Sequence, residues 1–284
     1  MTQTSSLAAR ARVLVSAAEL QSMLAAGVAP HLLDVRWQLT GPREAGRAAY
    51  RAGHLPGARF IDLETVLTGP AAQPALGRHP LPDAQRLAAG LAAAGVDARQ
   101  PLLVYDEPGS FAAGRAWWVL RDAGLDVRVL DGGITAWQAA GGALEAGDHE
   151  LPALEPVALS LGHLAQVDAD GLAAFDGTVI DVRAPQRFRG EVEPIDPRAG
   201  HIPGAVNRPV SGFFAADGTL PDPDALSELL DLPADTPVAV YCGSGVSATQ
   251  VIIAAATLGV EATLYPPSWS GWSSDPGRPA ELGA

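Results

Sequence analysis

Three things are scarce in this sequence: cysteine, positive charge and long apolar runs. Only one of the 284 residues is a cysteine, Cys242, so no disulfide can form within the chain, which fits a reducing compartment. Acidic residues outnumber basic ones by 32 to 19, and the net charge of −13 argues against nucleic acid or an anionic membrane as a partner. No run of about 18 apolar residues occurs, so no membrane span is predicted. The N-terminus lacks the order of a secretory signal, and we expect a cytoplasmic protein.

The single cysteine lies in the segment Val238-Ala-Val-Tyr-Cys-Gly-Ser-Gly-Val-Ser-Ala-Thr. An apolar run typical of a strand ends at the thiol, and small residues follow before an apolar helical run that begins near Ser247. Gly243 and Gly245 allow several backbone N–H groups to converge on one point at the N-terminus of that helix. A free cysteine is usually a small buried apolar residue. Here the surroundings would stabilise a thiolate, the nucleophilic form, and favour a reactive thiol.

The chain repeats itself. Asp34-Val-Arg recurs as Asp181-Val-Arg and Gly53-His-Leu-Pro-Gly-Ala recurs as Gly200-His-Ile-Pro-Gly-Ala, both 147 residues later. Leu102-Leu-Val-Tyr-Asp106 matches Val238-Ala-Val-Tyr-Cys242 at an offset of 136 residues, so the second copy has a shorter connection. A repeat this long indicates two duplicated domains rather than a solenoid. In the first copy, Asp106 takes the place of Cys242.

Each copy has the alternating pattern of an α/β domain. The strands predicted in the first copy cover residues 13–15, 31–35, 59–61, 102–105 and 127–130. Ser16 with Glu19, and Asp83 before an amphipathic run, predict two helix starts. We therefore predict a mainly parallel sheet flanked by helices in each domain, with the active site beyond the carboxyl ends of the strands. The predicted boundaries are 1–143 for the first domain, 144–155 for a linker and 156–284 for the second.

Four motifs together resemble the tandem-domain rhodanese family of sulfurtransferases, over nearly the whole chain. They are Asp-Val-Arg after a strand, Gly-His-Ile/Leu-Pro-Gly-Ala, Leu130-Asp-Gly-Gly-Ile-Thr-Ala-Trp137 and the cysteine loop. The resemblance implies two tandem rhodanese-like domains, of which only the second is catalytic, through Cys242. It also fits Asp106 in the first domain, because a carboxylate cannot form a persulfide.

The loop after Cys242 resembles that of the 3-mercaptopyruvate sulfurtransferases. Members of the family that use thiosulfate typically carry basic residues there, whereas this chain has the uncharged Gly243-Ser244-Gly245. The resemblance implies that Cys242 takes sulfur from 3-mercaptopyruvate as a persulfide and passes it to thioredoxin, a small thiol or cyanide. A thiosulfate sulfurtransferase is the alternative, and a non-catalytic sulfur carrier or interaction module is a further one. A cysteine-loop phosphatase would need an arginine where this chain has Ala248.

A carboxylate-bearing substrate needs a guanidinium to bind it, and the resemblance implies which ones. Arg187 falls where the family places its substrate-binding arginine. Arg198 matches a second arginine of the same loop, although Arg189 competes with it for this role. The predicted substrate-binding residues are these two positions, Arg187 and Arg198, with Gly243, Gly245, Val246 and Ser247 of the cysteine loop.

The leaving pyruvate enolate must be protonated, and the resemblance implies a relay of serine, histidine and acid. Ser244 would supply the hydroxyl and His79, in the first domain, the imidazole. The acid would be Asp62 or Glu64, between which the sequence does not choose.

Other residues carry structural expectations. His54 and His201 occur once in each copy and are predicted to fix a turn. The histidines show no ligand-like spacing near Cys242, so no metal and no cofactor are expected. The tryptophans at 117, 118, 137, 269 and 272 are predicted to be buried packing residues. Pro267 and Gly271 replace a glycine and an acid that relatives often carry, which predicts an altered rim of the cleft.

Overall fold

The first half of the chain forms a five-stranded sheet in which all neighbouring strands are parallel. The computed structural model describes residues 3–149, 151–233 and 236–283. The spatial order of the strands is β1-β5-β4-β2-β3. They are β1 (Leu14–Val15), β2 (His31–Asp34), β3 (Arg59–Phe60), β4 (Leu102–Tyr105) and β5 (Val127–Leu130).

The second half forms a four-stranded parallel sheet of the same topology. Its strands are β6 (Thr178–Asp181), β7 (Val206–Asn207), β8 (Val238–Tyr241) and β9 (Thr263–Leu264). Their order is β7-β6-β8-β9, and a parallel bridge from Gln166 to Leu264 takes the place that β1 has in the first sheet. The predicted α/β fold and the predicted duplication are therefore confirmed, while the boundaries at 143 and 156 stay predictions.

Helices connect and flank these strands. They are α1 (Gln3–Val13), α2 (Ala17–Ala25), α3 (Ala45–Ala52), α4 (Ala84–Ala93), α5 (Ala112–Asp122), α6 (Gly133–Ala139), α7 (Ala169–Ala173), α8 (Pro185–Phe188), α9 (Pro223–Leu230), α10 (Ala248–Thr257) and α11 (Ser268–Ser274). Ser16 and Asp83 cap α2 and α4 as predicted, because their side chains accept the backbone N–H of Glu19 and Arg86. None of the helices in the described ranges is both long and apolar enough to cross a membrane.

The N-terminal segment differs from its prediction. Val13 was expected to begin a strand, but it ends α1, and the strand starts one residue later. Helix α1 packs on α10 of the second domain. Arg10 fixes this arrangement, since its guanidinium donates to the carbonyl oxygens of Leu220 and Pro221 and to the carboxylate of Asp131. A prediction from local sequence pattern alone misses α1, because contacts with the other domain hold this helix in place.

The two repeated motifs form the same buried clamp in each domain. The side chain of Arg183 donates to Oδ2 of Asp181 through Nη2 at 2.7 Å and through Nε at 3.0 Å, and it also donates to the carbonyl oxygen of Gly200 at 2.7 Å. Asp34 and Arg36 repeat these contacts, with the carbonyl oxygen of Gly53 as the third partner. The motifs recur because a buried ion pair needs both partners and all of its hydrogen bonds.

The domains pack closely through α5 and α10. A side chain on Gly114 of α5 would place its Cβ 2.8 Å from Oγ1 of Thr249 on α10, so the helices approach nearer than an alanine would allow. The apolar core is continuous across this contact. The tryptophans at 117, 118, 137, 269 and 272 are at most 5% exposed, as predicted.

Asp106 replaces the thiol in the loop of the first domain that corresponds to the cysteine loop. Its Oδ2 accepts the N–H of Ala113 at 2.9 Å, at the N-terminus of α5. Burial, with smaller contributions from the negative charges of Asp34 and Glu107, raises the pKa of Asp106 to about 7. The folded chain therefore binds this proton more tightly than the unfolded chain does.

From this raised pKa we expect Asp106→Asn to stabilise the fold selectively at high pH. When folding raises the pKa of a carboxyl, the free energy of unfolding falls as the pH rises from about 4 to about 7, because the unfolded chain releases the proton first. Asparagine does not titrate, so the variant avoids this loss. The expected gain at pH 8 is on the order of 1 kcal/mol, a figure reduced for the partial exposure of the side chain. At pH 4 the gain should be near zero, because the folded carboxyl is protonated there. Urea unfolding of both proteins at the two pH values measures it. A gain of equal size at both pH values would contradict the titration.

Candidate active site

Cys242 lies at the end of β8, in the centre of the second sheet, and its side chain is only 1% exposed. The backbone N–H of Gly245 donates to its Sγ at 3.1 Å. Its own N–H donates to Oγ of Ser268 at 3.1 Å, and this hydroxyl lies 3.8 Å from Sγ. The N–H of Gly245 is thus directed at the sulfur and stabilises negative charge on it, whereas the hydroxyl of Ser268 is closer to the carbonyl oxygen of Tyr265, at 3.1 Å.

Glycine is required at position 245. The residue has φ +77°, and a Cβ there would come within 2.4 Å of the carbonyl oxygen of Pro266. This conformation directs the N–H of Gly245 at the sulfur, as the predicted convergence of donors requires. Gly243, Val246 and Ser247 line the same cavity as the thiol, and Ser247 immediately precedes α10. Sulfur therefore lies beside the positive end of a ten-residue helix.

A fully buried arginine, Arg115 of α5, holds the cysteine loop from the first domain. Its guanidinium donates to the carbonyl oxygens of Gly245, His79 and Pro80 at 3.1, 2.9 and 2.8 Å, and also to that of Leu67. Burial lowers the pKa of Arg115 to about 10, while the neighbouring Cys242 and Glu64 act in the opposite direction. The side chain still carries its positive charge at neutral pH, so it supplies a fixed cation near the thiol.

The thiol opens into a cavity of about 320 Å³ between the domains. The first domain contributes Trp37, Arg78, Ser110 and Phe111 to its walls, and the second contributes the cysteine loop, Arg183, Arg187 and Val210. This volume is at the small end of ligand pockets and suits a metabolite of a few heavy atoms. The predicted position beyond the carboxyl ends of the strands agrees with what is observed.

Ser244, His79 and Glu64 form a continuous chain beside the thiol. Oγ of Ser244 lies 2.8 Å from Nδ1 of His79, and Nε2 of His79 lies 3.4 Å from Oε1 of Glu64. The indole N–H of Trp37 donates to the same oxygen at 2.9 Å. The hydrogen bond with His79 lowers the pKa of Glu64 and outweighs the opposing effect of burial. The structure thus brings together three of the four residues predicted for proton transfer.

Asp62 lies elsewhere. Its Oδ1 accepts the N–H and the hydroxyl of Thr65 at 2.8 and 3.1 Å, and it does not line the cavity of Cys242. Of the two carboxylates that the sequence left open, Glu64 is therefore the one that contacts His79.

Two guanidiniums, Arg187 and Arg78, lie next to Gly243. A Cβ built on Gly243 would be 3.2 Å from Nη2 of Arg78 and 3.4 Å from Nη1 of Arg187. Asp196 binds the other side of both arginines, with Arg187 at 2.9 Å, and Glu193 binds Arg187 at 2.7 Å. Within the described part of the chain, these two Nη atoms make no hydrogen bond and both face the loop beside the thiol.

The acids on the far side balance most of this positive charge. Burial raises the pKa of Asp196, although both arginines oppose it. The pKa of Glu193 is lowered, because hydrogen bonds from Arg187 and from the backbone N–H of Asp196 outweigh its burial. The pair of arginines is held rigidly and presents unused donors with little excess charge, an arrangement that suits a single carboxylate.

Arg198 and Arg189 are placed outside this pair. Arg198 donates to the carbonyl oxygens of residues 272, 273, 275 and 278, and so holds the C-terminal segment. Arg189 makes a surface ion pair with Glu191 at 2.7 Å. Neither lines the cavity, and the predicted role of Arg198 in substrate binding finds no support in its position. The second arginine at the thiol is Arg78, which comes from the first domain.

Sequence reasoning missed Arg78, Arg115, Trp37 and Ser268. Arg78 adjoins His79 in the same loop, so the prediction for His79 could have included it. Arg115 gave one signal, because it is a charged residue inside the otherwise apolar run of residues 112–120. Gly271 of the altered rim fits tightly against the first domain, since a Cβ there would be 2.7 Å from the carbonyl oxygen of Ala75. That contact positions the loop which carries Arg78 and His79.

Comparison with known proteins identifies the family. The model of the rhodanese-like domain matches the chain twice, over residues 16–140 and 165–275. The chain belongs to the rhodanese family. Within this family, the chain is 45% identical to SseB of Mycobacterium tuberculosis, and the match covers 97% of this chain and 99% of that protein. SseB carries the name of a thiosulfate sulfurtransferase. It is 36% identical to the 3-mercaptopyruvate sulfurtransferase of Escherichia coli, over 88% of this chain and 91% of that protein.

A solved rhodanese structure shows the same architecture. The crystal structure of SseA from Escherichia coli, titled as a 3-mercaptopyruvate sulfotransferase, superposes with a TM-score of 0.78 and 34% identity over 90% of this chain and 98% of that one. The predicted family, fold and class of enzyme, a sulfurtransferase, are therefore confirmed.

Proposed function

We propose that this sulfurtransferase takes sulfur from 3-mercaptopyruvate and carries it as a persulfide on Cys242. The observation that carries the proposal is the chain of Ser244, His79 and Glu64, which ends beside the thiol at a serine–histidine separation of 2.8 Å. Such a chain delivers a proton, and among the two candidate donors only mercaptopyruvate leaves a carbanion that requires one.

In the first half-reaction the thiolate of Cys242 attacks the sulfur of mercaptopyruvate. An S–S bond forms, the C–S bond breaks, and its electron pair remains on carbon as the enolate of pyruvate. Ser244 donates the hydroxyl proton to that carbon and is reprotonated through Nδ1 of His79, whose other nitrogen faces Glu64. The substrate carboxylate binds the two free Nη atoms of Arg78 and Arg187, which fixes the sulfur near Sγ.

In the second half-reaction an acceptor takes the outer sulfur. A thiolate or cyanide attacks it, the S–S bond breaks, and the electron pair returns to Cys242 as the thiolate. The N–H of Gly245, the N-terminus of α10 and the charge of Arg115 stabilise this leaving group. We also propose that the acceptor is thioredoxin, a small thiol or cyanide. We further propose that the protein is cytoplasmic.

Thiosulfate is the second candidate donor, favoured by the name of the relative at 45% identity. Its transfer releases sulfite, which needs no proton, so the serine and histidine would have no role. A dianion would also meet arginines whose charge Asp196 and Glu193 already offset. Steady-state kinetics with each donor and cyanide decide between them, and a higher kcat/KM for thiosulfate would refute our choice.

The proposal gives Arg187 a measurable role. In Arg187→Ala we expect KM for mercaptopyruvate to rise roughly 10- to 100-fold, because a charge-assisted hydrogen bond to the carboxylate is lost. Arg189→Ala is the matched control, since that arginine lies two residues away and pairs only with Glu191 at the surface. Arg187→Ala also removes one ion-pair partner of Glu193, and thermal unfolding measures how much stability this costs. An unchanged KM in a folded Arg187→Ala protein would remove Arg187 from the substrate site.

A further inference from the structure

A second cluster of ligating side chains lies on the first domain, outside the cavity of Cys242. One ligand atom from each of His54, Glu145 and His149 falls within 4.8 Å of the others, and no other such group of three occurs among the described residues. His54 follows α3, whereas Glu145 and His149 belong to the segment after α6. No metal site was predicted, because the histidines show no ligand-like spacing near Cys242. His54 and Glu145 are 91 positions apart, and the fold brings them together.

His54 offers a nitrogen with no partner. Its side chain is fully buried, and Nδ1 lies 2.8 Å from the carbonyl oxygen of Tyr50, which can only accept, so Nδ1 carries the proton. The lone pair is therefore on Nε2, which has no hydrogen-bond partner. This nitrogen lies 4.0 Å from Oε2 of Glu145, too far for a hydrogen bond. Carbonyl contacts of this kind orient the histidines that bind metals in proteins.

The other two groups are already fixed near that nitrogen. An antiparallel bridge joins His54 and Glu145, with both N–H···O distances at 2.9 Å. Oε2 of Glu145 accepts the N–H of Gly57 at 2.9 Å and lies 2.6 Å from Nε2 of His149. The hydrogen bond from Gly57, then that with His149, lowers the pKa of Glu145 and keeps it ionised. The backbone thus presents a carboxylate and two imidazoles to one point.

We propose that His54, Glu145 and His149 bind one zinc ion. Two imidazole nitrogens and a carboxylate are a donor set that suits a borderline cation such as Zn²⁺ and not the hard ions Mg²⁺ or Ca²⁺. The side chains of His149 and Glu145 are 39% and 43% exposed, which leaves room for water as a fourth ligand and for the small rotation that separates them to ligand–ligand distance. A bound ion would tie the segment after α6 to the loop after α3.

The second domain supplies an internal comparison. His201 repeats the arrangement of His54, with Nδ1 at 2.8 Å from the carbonyl oxygen of Phe188 and Nε2 at 3.6 Å from Oε2 of Glu281. Glu281 accepts the N–H of Gly204 at 3.1 Å, as Glu145 does that of Gly57. In the described residues no third ligand stands where His149 does in the first domain. Zinc should therefore bind the first domain and not the second.

Zinc titration of the untagged chain tests the proposal. Cys242→Ser serves as the background, so that the thiol cannot bind the metal, and a chromophoric chelator competes for Zn²⁺. We expect one equivalent to bind, with affinity reduced roughly 100-fold or more in His149→Ala and in Glu145→Gln, since losing even an outer-sphere partner costs up to that much. Glu281→Gln is the matched control and should bind as the background does. Thermal unfolding should show stabilisation by zinc that His149→Ala lacks.

Three results would overturn the site. They are the absence of saturable binding, an affinity that is unchanged in both His149→Ala and Glu145→Gln, and an equal loss in Glu281→Gln. Because binding and unfolding are measured without turnover and without the thiol, the outcome is independent of the sulfur donor.

Discussion

Cys242→Ser is expected to abolish sulfur transfer and the gain of one sulfur atom in mass after exposure to 3-mercaptopyruvate. A serine hydroxyl cannot form a persulfide, and loss of a covalent nucleophile costs on the order of 10⁴-fold or more in kcat. Intact-protein mass spectrometry measures the adduct, and the cyanide assay measures turnover.

The fold should persist in this variant. Sγ makes contacts with the N–H of Gly245 and the hydroxyl of Ser268 that an oxygen can keep. Circular dichroism and thermal unfolding serve as controls. Turnover at the rate of the unmodified protein would refute Cys242 as the nucleophile, and with it the whole assignment of the cavity.

The second large effect is expected from the relay and should depend on the donor. Ser244→Ala or His79→Asn should lower kcat with mercaptopyruvate about 10²- to 10³-fold, the usual contribution of a positioned general acid. With thiosulfate the same variants should change little, because sulfite leaves without a proton. The double variant should lose no more than the stronger single one, since the two residues act as a unit.

The ratio of the activities with mercaptopyruvate and thiosulfate distinguishes a loss of proton transfer from general damage to the cavity. Damage to the cavity would lower turnover with both donors alike, and that result would contradict the relay. Glu64→Gln should likewise lower kcat with mercaptopyruvate and change little with thiosulfate. Asp62→Asn is its matched control: among the described residues the side chain of Asp62 hydrogen-bonds with Thr65, away from His79, so its loss should leave both activities unchanged.

Much of the fold could be predicted because its signals are local. Buried parallel strands are short apolar runs, and residues 102–105 and 127–130 match β4 and β5 without error. Asp-Val-Arg and Gly-His-x-Pro-Gly-Ala recur because each is one half of a buried clamp. What failed depends on contacts between distant parts of the chain. Val13 continues a helix because α1 packs on the second domain, and nothing in its neighbours indicates this.

The candidate site also contains residues that local sequence predicts and residues that only the fold identifies. Cys242, Ser244 and the glycines share one loop, so a short segment predicts them together. Choosing Glu64 over Asp62 requires the position of His79 relative to both, and Arg198 differs from Arg78 only in what the folded chain puts next to it. Arginines look alike in a sequence, whereas their hydrogen-bond partners distinguish structural from substrate-binding ones.

The buried contact of Arg115 with Gly245 has a consequence for what each domain can do without the other. The second domain carries Cys242, but Arg115, His79 and Glu64 near the thiol all come from the first domain. The first domain, which has Asp106 where the second has Cys242, therefore still contributes to the surroundings of the thiol. A second domain produced alone would lack Arg115, His79 and Glu64, so we expect it to keep the cysteine loop without the reaction proposed for the whole chain.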